Sequence, residues 1–178
     1  EDGKPKTAVI TIRSIDDIIK SEAKRQQEHM AESLASMSDG FFIYRAMEDE
    51  RILYANPAVM AIFGCETMEQ LMELVGSSFR GMIHPEDLDR VEWEIEQQIR
   101  HSDKNMDFVQ YRIIRRDGQI RWVDDYGHLE TSKWGEEHRL FYVFIKDITD
   151  SISSVQIEKL LNSNQYYQNG ESLPPSQS

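Results

Sequence analysis

Between residues 107 and 150 the apolar positions fall into three strand-like runs, 107–118, 119–131 and 139–150. Their patterning predicts three consecutive antiparallel strands. Asp117-Gly118 predicts a two-residue type I′ turn between the first two, because both central residues of that turn need φ > 0. The polar segment 132–138, which contains a glycine, predicts a longer loop before the third. In that third run Phe141, Val143 and Ile145 share one face, and Leu140, Tyr142 and Phe144 share the other. A strand apolar on both faces is expected mid-sheet, covered on both sides.

Earlier in the chain the pattern changes period. Residues 7–13 form a short apolar strand-like run. Apolar residues then recur three and four apart at Ile12, Ile15, Ile19, Ala23, Met30, Leu34 and Met37, one narrow stripe of a long helix that suits a helical partner. Residues 41–46 and 51–54 read as two strands. Asn56-Pro57 predicts a helix start, with Asn as cap and Pro at the first helical position, and Gly64 ends that helix. Thr67 to Gln70 has capping-box spacing ahead of Leu71, Met72 and Leu74. His84-Pro85-Glu86-Asp87 predicts another start, with Pro85 at the first helical position. Leu88, Val91, Ile95 and Ile99 are the buried stripe of that helix, and Glu92, Glu94 and Glu96 its solvated side. Ile148, Ile152 and Val155 begin a last amphipathic stretch, and beyond Asn162 the Asn-, Gln-, Ser- and Pro-rich composition predicts a disordered tail.

One repeat stands out. Ile12-Arg-Ser-Ile-Asp-Asp17 has the pattern of Ile145-Lys-Asp-Ile-Thr-Asp150, and both follow a short strand and precede an amphipathic stretch. Residues 1–13 are read as the tail of a preceding copy of the same domain, 14–37 as a linker helix and 38–150 as the domain proper. Residues 151–162 are read as the start of a C-terminal linker helix and 163–178 as the tail.

Composition narrows the function. A net charge of −12 argues against nucleic acid or an anionic membrane as partner. No run approaches the roughly 18 apolar residues of a membrane span, and a single Cys65 fits a reducing, cytoplasmic compartment. The absence of an initiator Met suggests a piece of a longer polypeptide. No Ser-His-Asp or Cys-His arrangement, phosphate-binding loop or metal-ligand spacing is present, so neither catalysis nor a metal site is expected.

The order of two strands, short helices, a longer helix and three strands resembles the PAS domain family. The resemblance covers about residues 38–150. It is carried by Asp39-Gly40, Tyr54-Ala-Asn56-Pro57-Ala58 through Phe63-Gly64, His84-Pro85-Glu86-Asp87, Tyr111-Arg112 through Arg116-Asp117-Gly118, Arg121-Trp122-Val123 and Asp147-Ile148-Thr149-Asp150. It implies an α+β fold: a five-stranded antiparallel sheet in the order 2-1-5-4-3 with helices on one face. With strand alternation, it implies a ligand pocket lined by Phe42, Tyr44, Tyr111, Ile113, Val123, Asp125, Val143 and Ile145. The alternative is that these large side chains fill the pocket themselves. The outer face then carries Phe41, Ile43, Trp122, Tyr142 and Phe144. A patch of that size calls for a cover, and the N-terminal helix, through Ile19, Met30 and Leu34, is the expected one, in a homodimer.

Light-responsive relatives use a cysteine within Asn-Cys-Arg-Phe. Here Ser77-Ser78-Phe79-Arg80 stands in that region, and Cys65 lies elsewhere. Haem-binding relatives use a histidine on the long helix, and His101 near its end has no companion signature. Flavin and haem are not expected, while an unidentified small molecule stays open. The resemblance implies a regulatory module that relays a signal through Asp147, Thr149 and Asp150 to an output domain in cis, such as a histidine kinase or a cyclic-dinucleotide enzyme. The alternatives are a ligand-free dimerisation module and a small enzyme with an open helix-covered sheet.

Overall fold

The computed structural model describes residues 21, 24–26, 28, 29, 32–130 and 139–168. The chain divides into two compact units, residues 1–36 and 37–178. In the first, the described residues between 21 and 35 are helical and almost all exposed, with Leu34 half-buried. Lys24 and Glu28 form an ion pair one turn apart at 3.7 Å. Ile19, Met30 and the strand expected at 7–13 lie outside the described residues.

The second unit runs β1 (Gly40–Arg45), β2 (Ile52–Ala55), α1 (Pro57–Phe63), α2 (Met68–Leu74), a 3-10 turn (Arg80–Met82), α3 (Leu88–His101), β3 (Met106–Ile114), β4 (Ile120–Glu130), β5 (Leu140–Asp147) and α4 (Ser154–Gln168). The strands form one sheet in the order β2-β1-β5-β4-β3, every pairing antiparallel. The central position expected for the two-faced strand is therefore that of β5. The core lies on the inner face, where Phe42, Val123, Val143 and Ile145 pack against Val59, Phe63, Leu71 and Val91 of the helices. Burying side chains of this kind stabilises the fold by about 1.5–3 kcal/mol each.

Local chemistry explains most element ends. Asn56 caps α1 by accepting from Val59 N–H at 3.2 Å, and the same Oδ1 accepts from Phe41 N–H at 2.9 Å. One buried side chain thus starts a helix and holds β1 beside it. Thr67 Oγ1 accepts from Gln70 N–H at 3.2 Å to cap α2.

Three expectations change. The β3–β4 hairpin is not a two-residue type I′ turn. Arg115 N–H donates to Gln119 C=O, Gly118 N–H donates to Arg115 C=O, both at 2.9 Å, and of the turn residues only Gly118 has positive φ, +82°. A turn followed by one left-handed glycine closes a hairpin equally well. Pro85 does not open α3. Residues 85–87 form a turn, and Asp87 makes no capping bond to the helix, because its carboxylate is engaged across the domain by Arg112 and Asn164. Finally, α4 continues to Gln168, six residues past the boundary read from composition, held by Asn164, which is buried. Residues 131–138 and 169–178 lie outside the described residues.

Candidate functional site

Strand alternation puts one set of side chains under the helices. All eight expected positions, Phe42, Tyr44, Tyr111, Ile113, Val123, Asp125, Val143 and Ile145, are buried together on the inner face. The registers Val109↔Asp125 and Asp107↔Gly127 place two carboxylates on neighbouring rows of that face. Tyr111 donates its hydroxyl to Asp125 Oδ2 at 2.7 Å. Burial foremost, with the nearby charge of Asp107 added, raises the Asp125 carboxyl well above its usual range, and the Tyr111 hydrogen bond opposes that rise. Asp107 is 5% exposed, its Oδ1 has no hydrogen-bond partner, and burial pushes it up to about 7. Gly127 opposite it makes room for this carboxylate: a Cβ there would press on Asp107 Oδ1 and force the side chain to shift.

Aromatic rings occupy much of the space between sheet and helices. Tyr44 stacks on Phe79 with centroids 4.5 Å apart and on Phe141 at 5.0 Å, and Phe42 lies 6.0 Å from Phe79. Beside this stack is an open cleft of about 410 Å³, walled by Tyr44, Phe79, Leu129, Phe141 and, from α3, Ile95 and Ile99. Its polar rim includes Glu50, Arg80, Glu92 and Arg139. Arg80 bridges to Glu92 at 2.7 Å. Burial raises Glu50, against the pull of Arg80. The Tyr44 phenol is raised well above its usual value by burial, then by the negative charge of Asp125, Glu50, Asp107 and Glu92, so it remains a neutral hydroxyl. The cleft offers flat apolar surface and charges of both signs on its rim, of which Arg80 and Glu92 are paired.

The residues expected to relay a signal divide. Thr149 Oγ1 donates to Asp147 Oδ1 at 2.6 Å, and Thr149 N–H donates to the same oxygen at 2.9 Å. The Trp122 peptide is gripped at both ends: its N–H donates to Thr149 Oγ1 at 2.9 Å, and its C=O accepts from Ile148 N–H at 2.9 Å. Asp150 is exposed in the turn that follows. On the outer face Phe41 and Trp122 are buried and Ile43 and Tyr142 half-buried, while Phe144 is 42% exposed. The Arg112 guanidinium lies over the Trp122 ring, 5.8 Å from its centroid.

Cys65 is a buried free thiol that burial pushes up, with Arg116 and Arg115 opposing. His101 is exposed, its Nδ1 2.7 Å from Gln97 C=O. No group of three or more His, Cys, Asp or Glu among the described residues is placed to hold a metal ion.

Sequence reasoning missed Asp107, Arg90 and Asn164. Asp107 carries a usable signal, since it has the parity of Val109, Tyr111 and Ile113. Arg90 stands three residues after Asp87 and four before Glu94, a spacing for charge pairing, but it is fully buried and Glu94 is half-buried beside it at 3.0 Å. The expected solvated side of α3 is therefore partly engaged, with Glu92 also paired. Asn164, in a polar run, carries no comparable signal.

The family model described as the PAS fold matches residues 52–143, more than half of the chain. The chain belongs to the PAS family. No curated protein sequence matches it. Among solved structures it is similar to a PAS domain from a two-component sensor histidine kinase, with 20% identity and a TM-score of 0.52, covering 70% of this chain and 98% of that one. It is similar to the PAS domain of a protein from Colwellia psychrerythraea, with 16% identity and a TM-score of 0.57, covering 70% and 98%. A third is the PAS domain of an HTR-like protein from Haloarcula marismortui, with 17% identity and a TM-score of 0.56, covering 74% and 99%. These likenesses are of fold. No helix among the described residues is long and apolar enough to cross a membrane.

Proposed function

We propose that this chain is a non-catalytic sensory module that works in the cytoplasm and passes the state of its sheet to an output domain in cis. The observation that carries the reading is the two-sided grip on the Trp122 peptide by Ile148 and Thr149. It fastens the segment leaving the central strand to the start of β4, so a shift of the inner sheet face is transmitted to the chain beyond Asp147. The histidine-kinase origin of one structurally similar domain favours an output of that kind. The cleft beside Tyr44 is the input: it takes a small organic molecule that covers the aromatic stack and satisfies charges on its rim.

A second reading, a dimerisation module without a ligand, is favoured by the stacked rings of Phe79, Tyr44 and Phe141, which leave the cleft at one end of the inner face only. The two readings part on one experiment: mass spectrometry of small molecules released from the protein purified from its native source, repeated for Ile95→Trp, which fills the cleft. A compound present in stoichiometric amount with the parent and lost with the variant supports the sensor. Absence of any compound from both supports the ligand-free module.

A further inference from the structure

We propose that the cleft beside Tyr44 takes an aromatic amino acid, with its ring against the Tyr44 stack, its ammonium at Glu50 and its carboxylate at Arg139. The proposal rests on the sensory reading of the domain and names the class of compound sensed. The cleft is not the pocket that strand alternation outlines, since of those eight positions only Tyr44 walls it. Its own lining points to the ligand. Tyr44 lies between Phe79 and Phe141, with interplanar angles of 10° and 11°. These aligned rings, with Ile95 and Ile99 from α3, make an apolar slot. A further aromatic ring gains both area and favourable ring geometry there.

The charges on the rim select the rest of the molecule. There are three carboxylates, Glu50, Glu92 and Glu96, and three guanidiniums, Arg80, Arg100 and Arg139. Arg80 pairs with Glu92 at 2.7 Å, and Arg100 pairs with Glu96. One group of each sign is left, Glu50 and Arg139, and neither forms an ion pair among the described residues. The charges that shift Glu50 are those of Arg80 and Glu92, not of Arg139, so the two remain apart. A purely anionic or cationic ligand would match one and leave the other; a zwitterion matches both. Each also has an unfinished bond. Glu50 Oε2 and Arg139 Nε are shut from water and lack a hydrogen-bond partner, whereas buried polar groups are normally paired. An ammonium and a carboxylate supply charge-assisted partners to these two side chains. The backbone holds both residues beside the stack. Glu50 C=O accepts from Phe79 N–H at 3.0 Å, and Arg139 C=O accepts from Ala46 N–H at 2.9 Å, two residues beyond Tyr44. Glu50 is kept in the left-handed region, φ +44°, a strained conformation of the kind that collects at functional sites.

The test is isothermal titration calorimetry on the full chain with L-phenylalanine and L-tryptophan. Each is compared with the matching amine, which lacks the carboxylate, and the matching propionate, which lacks the ammonium. One of the amino acids is expected to bind at least about tenfold tighter than both of its analogues. Glu50→Gln should abolish the advantage over the propionate, Arg139→Gln the advantage over the amine, and Ile95→Trp all binding. The analogue series on the parent protein stands even where a variant folds poorly. No binding of either amino acid, an analogue that binds as tightly, advantages unchanged in Glu50→Gln and Arg139→Gln, or undiminished binding to Ile95→Trp each overturn the assignment. A released compound of another class would also overturn it while supporting the sensory reading, so the two can fail separately.

Discussion

Tyr111 and Asp125 meet 2.7 Å apart on the inner face of the sheet, and neither is more than 1% exposed. The phenol is the hydrogen-bond donor to a carboxyl that burial holds well above its usual range. Tyr111→Phe deletes that donor and leaves the acceptor in place, which costs about 1–3 kcal/mol for a buried polar group. The hydrogen bond favours the charged form of Asp125, so its loss is felt more as pH rises. Urea unfolding should therefore separate parent and variant by more in alkaline than in acidic buffer. Equal midpoints across the pH range would exclude this role for the pair.

Asp107 gives a pH dependence of known sign. Its ordinary value of 3.8 is pushed up to about 7 in the folded protein. Between those values the native state keeps a proton that the unfolded chain releases. The stability this group contributes is complete below 3.8, falls as pH rises through the window and is lost above about 7. The span corresponds to on the order of 4 kcal/mol at most. Asp107→Asn has no proton to lose, so its unfolding midpoint should vary less between about pH 5 and about pH 8 and exceed the parent's at the higher value. The remaining slope belongs to the other carboxyls that burial raises, Asp125, Glu50 and Glu94. Parallel pH profiles for parent and variant would sink the assignment.

How far these features could be read in advance follows from their periodicity. The inward set from Phe42 to Ile145 was legible because a strand alternates faces with period two, and one apolar neighbour of the same parity fixes the rest. Asn56-Pro57 was legible because capping is local chemistry. Asp87 was not: its helix-start context is local, whereas its partners Arg112 and Asn164 lie 25 and 77 residues away. The same holds for Arg90, fully buried although arginine is almost always exposed. The cleft also escaped the pattern: of the eight positions read as pocket lining only Tyr44 walls it, and its rim comes from Glu50, Arg80 and Arg139, on three separate segments.

Trp122 is 7% exposed although it stands on the outer face. Trp122→Ala removes the ring on which Arg112 rests and should cost about 3–5 kcal/mol, as for a buried large-to-small change. Chemical denaturation with tryptophan fluorescence replaced by far-UV circular dichroism gives the comparison. An unchanged midpoint would mean that the ring contributes nothing to the outer face.

The purified protein should be colourless. Cys65 is buried with its thiol pushed up, which disfavours the reactive thiolate, and His101 is exposed with its ring nitrogen against Gln97 C=O. A visible absorption band surviving purification would show that a flavin or haem occupies the domain after all.

The outer face should be covered by a second copy of the chain. Phe108, Tyr126, Phe144 and Phe41 are register partners across β3, β4, β5 and β1 and form one aromatic row over the sheet. Phe108 and Tyr126 have centroids 4.6 Å apart, and Phe41 and Phe144 5.0 Å. Three of the four are 39–49% exposed, an apolar surface that water disfavours at about 25 cal/mol per Å². A two-fold pair lets the same row serve both partners, and we propose that the N-terminal segment carrying Ile19, Met30 and Leu34 adds to the contact. Lysines at Tyr126 and Phe144 put charge into the row at exposed positions, where substitutions usually shift stability by within about 0.5 kcal/mol. Sedimentation over a concentration series should show a dimer for the parent, a monomer for Tyr126→Lys/Phe144→Lys, and a weaker dimer for a chain lacking residues 1–30. A parent that stays monomeric at high concentration, or a doubly substituted protein that dimerises as tightly as the parent, would remove the sheet face from the interface.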